Sequence, residues 1–115
     1  MDVWLDEPEE HDFPVAMDYL ELLMTPDEAE EVADGLRAAP TVKRKAKGIL
    51  RASELPLLPK DNVHVAHDIK KVKDGKRLSP ILLVHGRPLV IADGYHRVCA
   101  VYYLSEDLEI PCRLV

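Results

Sequence analysis

The hexapeptide ADGYHR, residues 92–97, sets Asp93, His96 and Arg97 around one glycine. It lies between the apolar runs LVIA and VCAVYYL, so three polar groups meet where a strand-like segment gives way to a helix-like one. A glycine at a strand end lets the backbone turn tightly, and the first turn of the following helix offers unpaired N–H groups and a partial positive charge. Anions bind at such a place. His96 and Arg97 add side-chain donors at the same end. Asp93 is placed to cap the helix, to orient His96 or to accept a proton from a substrate hydroxyl. The expected chemistry is phosphate binding by Gly94, Tyr95, His96 and Arg97, with Asp93 and His96 as the candidate catalytic pair.

Charge along the chain supports an anionic ligand. Residues 1–34 hold 13 Asp and Glu and no Lys or Arg, whereas residues 35–115 hold all 15 Lys and Arg against 8 acids. An acidic head of −13 therefore precedes a body of +7, within a net charge of −6. A basic body meets an anion: a nucleic acid, a nucleotide or the chain's own head.

At 115 residues and 47% hydrophobic content, the chain suits one domain with a core of its own. The start, MDVWLDEPEEHDF, is acidic where a signal peptide is basic and then apolar, and no run approaches the ~18 apolar residues of a membrane span. A cytoplasmic location is expected. Cys99 and Cys112 lie in apolar surroundings without metal-ligand spacing and read as buried free thiols.

The elements that must position the motif follow from the apolar period. Residues 1–12 have little to bury beyond Val3, Trp4 and Leu5 and are expected to be frayed or docked through Trp4. Val15, Met17, Leu20, Leu23 and Met24 fall at helical spacing, and TPDEAEEVADGL opens with Thr25 as N-cap and Pro26 in the first helical position. The stripe Val15, Leu20, Leu23, Val32 and Leu36 must be covered by the body or by a second copy, so a homodimer stays open. TVKRKAKGILRAS predicts a third helix capped by Thr41, with Lys43, Arg44, Lys45, Lys47 and Arg51 on a basic outer face. After the proline-punctuated ELPLLPKDN, HVAHDIKKVKDG predicts a short helix stopped by Gly75. PILLVH and LVIA, joined by GRP, predict a hairpin in which His85 and Arg87 are turn residues; YHRVCAVYYL predicts a buried helix and EIPCRLV a closing strand.

LSPILLV, the short hairpin, LVIADGYHR and the apolar helix together resemble the ParB/sulfiredoxin superfamily, over about residues 55–115. The resemblance implies an α+β core of helix, hairpin, helix and strand, with the Gly-x-His-Arg stretch at a nucleotide or phosphate site. Tyr95 stands where sulfiredoxins carry their catalytic cysteine, and no helix-turn-helix follows as it does in partition proteins. Closest in letters is the Asp-Gly-His-Thr-Arg motif of ParB-like kinases that phosphorylate free serine, matched by Asp93, Gly94 and Arg97. Residues 1–54 are then an acidic helical extension with the basic helix, packed on a core of residues 55–115. In this superfamily the helix before the hairpin also reaches the phosphates. Here that helix carries His64, His67 and Lys71, whose spacing puts them on one face.

The leading expectation is a nucleotide- or phosphate-binding domain, with ATP or another nucleotide and Mg²⁺, acting as a phosphotransferase or nucleotide hydrolase. His64, His67 and Asp68 are the residues a metal would use, but they lack a third well-placed partner, so no protein metal site is expected. Two alternatives stay open. One is a nucleic-acid-binding or DNA-nicking module with Lys43, Arg44, Lys47 and Arg51 along the phosphates. The other is an inactive protein-interaction module reached through the acidic head.

Overall fold

The computed structural model describes residues 2–115. The apolar run at 81–84 does not alternate with polar residues because both of its faces are covered. Ile81 and Leu83 join a core with Ile91, Ile110 and Cys112, whereas Leu82 turns the other way to meet Phe13, Ala16, Leu20, Ala29, Leu36 and Ala92. The result is an α+β domain of five helices around a four-stranded mixed sheet. No helix is long and apolar enough to cross a membrane among the described residues.

The hairpin pairs β2 (Ile81–Val84) with β3 (Val90–Asp93) antiparallel, with a register irregularity between Leu82 and Leu83. Strand β4 (Glu109–Leu114) runs parallel to β2, and β1 (Val42–Lys45) pairs antiparallel with β4 through Val42 opposite Cys112. The sheet order is β1-β4-β2-β3.

On one face lie α1 (Asp12–Leu20) and α2 (Pro26–Ala38), against β3 and β4. Helix α2 begins as its sequence predicts: the Thr25 hydroxyl accepts from the Glu28 N–H, and the Glu28 carboxylate accepts from the Thr25 N–H. Its other end is satisfied by Arg113, 9% exposed, which donates to the Leu36 carbonyl at 3.2 Å and the Arg37 carbonyl at 2.9 Å. The head is thus tied to the sheet by hydrogen bonds to its carbonyls as well as by apolar contact. Its buried stripe differs from the expected one. Leu20 and Leu36 are buried, but Val15 and Leu23 are 51% and 54% exposed, and Phe13, Ala16 and Ala29 take their places.

The opposite face carries α3 (Ala46–Ser53), α4 (Val63–Lys73) and α5 (Tyr95–Leu104). The basic helix expected from Thr41 to 52 is not formed as such. Residues 42–45 are the edge strand β1 and the helix starts only at Ala46, because Val42 opposite Cys112 gains a strand partner that local propensity does not anticipate. Lys43 and Arg44 therefore lie along a sheet edge, and Lys47 and Arg51 on a separate short helix. The N-terminus is docked: Leu5 N–H donates to the Leu78 carbonyl and Leu78 N–H to the Val3 carbonyl, each at 2.8 Å, with Trp4 buried. Cys99 and Cys112 are free and buried, and burial pushes the Cys112 thiol up to about 11.

Candidate functional site

Strand β3 ends at Asp93, and Gly94 turns the chain into α5 with φ of +111°, in the left-handed region. A Cβ there would stand 2.4 Å from Ile81 Cδ1 and 2.8 Å from Arg97 Nη2, so only glycine fits this backbone against these neighbours. No side chain caps the start of α5. Its first-turn N–H groups are left for solvent or a ligand.

Helix α4 packs against α5, begun by Asn62, whose side chain accepts from the His64 and Val65 N–H groups. Val65, Ile69 and Val72 point into the core, which turns His64, His67, Asp68 and Lys71 toward the α5 N-terminus. The His64 and His96 rings lie 4.7 Å apart, centroid to centroid, tilted by 54°. Together with Gly94, Arg97 and Asp93 these residues line a polar pocket of about 250 Å³. Of the expected site residues, the structure brings together His64, His67, Lys71, Asp93, Gly94, His96 and Arg97.

Tyr95 is not among them. Its hydroxyl donates to the Pro56 carbonyl and holds the linker between α3 and α4. Asp93 is in the pocket but does not cap α5; it accepts from Arg97 Nη2 at 2.9 Å, with side-chain exposures of 13% and 17%. A partly buried aspartate at a strand end, four residues before an arginine in the first turn of the next helix, is better placed to pair with it than to reach an N–H group. Lys43, Arg44, Lys47 and Arg51 line no part of this pocket. Lys47 pairs instead with Asp107 at 2.6 Å and with Glu106 at 3.9 Å.

The other wall comes from the N-terminal segment, which sequence reasoning left out of the site. Glu9, His11 and Ser79 line the pocket. Beneath them Asp12, 2% exposed, accepts from the Ser79 hydroxyl and from the Glu9 N–H, the latter at 2.9 Å. Asp12 also lies 3.9 Å from Arg97 Nη1, too far for a hydrogen bond. Among the described residues, Nη2 alone of the three guanidinium nitrogens has hydrogen-bond partners, Asp93 and the Pro80 carbonyl, while Nε is buried without one. The one signal available was a lone His-Asp pair ending the acidic stretch; nothing local says that it folds across to residue 97.

Burial pushes the Asp68 and Asp93 carboxyls up from the ordinary range, against the pull of Arg97 on both. His96 is pushed down, first by burial and then by the neighbouring His64, with Asp68 opposing. That shift favours the uncharged imidazole, the form able to accept a proton. No group of three or more His, Cys, Asp or Glu is placed to hold a metal ion among the described residues. Compared with protein-family models, curated proteins and solved structures, the chain matches none.

Proposed function

We propose that this chain is a ParB/sulfiredoxin-like domain that binds the phosphate end of a nucleotide or another small phosphate ester and transfers or hydrolyses its phosphoryl group. One observation carries the reading. His64, His67 and Lys71 of α4 converge with His96 and Arg97 of α5 on a single pocket at an uncapped helix start. The likeness of LVIADGYHR to the superfamily motif supports the same placement.

A volume of about 250 Å³ lies just below the ~300–1,000 Å³ usual for small-molecule sites. Phosphates and a first sugar fill it, and a nucleobase lies across the rim. Magnesium, where the ligand is a nucleotide, is carried in on its phosphates. Lys71 and Arg97 offset the charge of the transferring group, and His96 takes the proton of the attacking hydroxyl or water.

The nucleic-acid alternative is the weaker reading, since Glu106 and Asp107 already neutralise Lys47 and no continuous basic helix exists. Calorimetry against ATP, CTP, inorganic phosphate and a short duplex separates the two. Binding of the small anions that Arg97→Ala abolishes in a folded variant supports the proposal. Duplex binding alone, lost on replacing Lys43 and Arg44, overturns it.

A further inference from the structure

The acidic head reaches the pocket and not the basic segment. No ion pair joins residues 2–34 to residues 41–52; Lys45 and Lys47 find their acids at Glu106 and Asp107. The head instead sends Glu9 to the pocket wall and Asp12 beneath its floor.

The charges facing the pocket are then unbalanced. Helix α4 contributes Lys71 and Asp68 with the imidazoles of His64 and His67; the turn into α5 contributes Arg97 and Asp93 with His96; the N-terminal segment contributes Glu9 and Asp12 with His11. Four carboxylates surround two permanent cations. Asp93 offsets Arg97 through its hydrogen bond, and Asp68 lies on the same helix as Lys71. Glu9 and Asp12 are the excess.

Resting on the phosphate reading above, we infer that Glu9 and Asp12 are specificity-determining residues of this pocket, disfavouring highly charged anions. His11 stands between the two, with Nδ1 3.5 Å from Glu9 and Nε2 3.4 Å from Asp12. Asp12 is set in place by Ser79 and the Glu9 N–H, so the segment presents a fixed negative wall to any anion that approaches Arg97 Nη1.

The repulsion grows with the charge of the ligand, so the discrimination is between sulfate and a polyphosphate. The test is calorimetry of the full chain as wild type, Glu9→Gln and Asp12→Asn, with sulfate and with tripolyphosphate, at about pH 7.5 and about pH 6, either side of ordinary imidazole titration. Near pH 7.5 each variant should bind sulfate roughly two- to tenfold more tightly than wild type, and tripolyphosphate should gain more. Glu9 is 45% exposed and, among the described residues, its carboxylate pairs only with His11, so Glu9→Gln keeps the fold whatever happens to Asp12→Asn. Equal affinity of Glu9→Gln and wild type for both anions near pH 7.5 overturns the inference. Absence of binding by all three proteins near pH 6 overturns the phosphate reading and the inference with it.

Discussion

Arg97 Nη2 donates to Asp93 Oδ2 at 2.9 Å, and this pair, more than either residue alone, fixes the floor of the pocket. Asp93 closes β3 and Arg97 lies in the first turn of α5, so their bond spans the glycine turn between them. Removing the cation leaves Asp93 and the buried Asp12 facing one another. Arg97→Ala should therefore cost about 3–5 kcal/mol of stability, the range for breaking a buried ion pair from one side. Urea unfolding checks it. Arg97→Lys should recover part of the stability but less of any anion binding, because a point charge replaces a fixed planar fork.

Gly94 is bound by both backbone and space. Gly94→Ala introduces a methyl that would overlap Ile81 Cδ1 and strain a φ of +111°. A loss of about 2–4 kcal/mol is expected, the strain of the left-handed backbone alone being ~1–3 kcal/mol. Thermal unfolding that shifts by only a degree or two would mean that the turn relaxes.

Asp68 gives a prediction whose sign follows from its raised pKa. Its carboxyl holds a proton more tightly in the folded chain than in the unfolded one. Its contribution is therefore favourable at acid pH and is lost as pH rises through the folded value. Asp68→Asn should raise Tm at neutral pH, and the difference from wild type should close as pH falls through the carboxylate range. A variant less stable than wild type at neutral pH would show that pairing with Lys71 and Arg97 outweighs desolvation.

Lys71 sits half-buried on the α4 wall. Lys71→Met should weaken polyphosphates more than single phosphate, by about 1–3 kcal/mol for a shielded, charge-assisted hydrogen bond. Titrations with phosphate and tripolyphosphate compare the two directly, and equal losses would place Lys71 outside the longer ligand's reach.

Much of this arrangement is legible in the sequence because it is local. The Thr25 cap, the Gly75 stop, the hairpin runs and the glycine before α5 are each read from a few adjacent residues, and the i, i+3, i+7 spacing puts His64, His67 and Lys71 on one face. What was not legible depends on contacts distant in sequence. Val42 to Lys45 become a strand only because β4, some seventy residues later, offers an edge. Asp12 comes to lie beneath the pocket floor only because Ser79 and the Glu9 N–H hold it there. Tyr95, inside the motif, turns away to donate to the Pro56 carbonyl, 39 residues earlier in the chain. Composition shows an acidic head and a basic body, but not which carboxylate meets which cation.

Phosphate binding at the start of α5 is tested by an amide and imidazole NMR titration of the full chain with inorganic phosphate near pH 6. Saturable shifts are expected at Gly94 to Arg97 and on the rings of His64, His67 and His96, with the amides of β1 and α3 unmoved. Shifts confined to Lys43 through Arg51, or none that saturate, would contradict it.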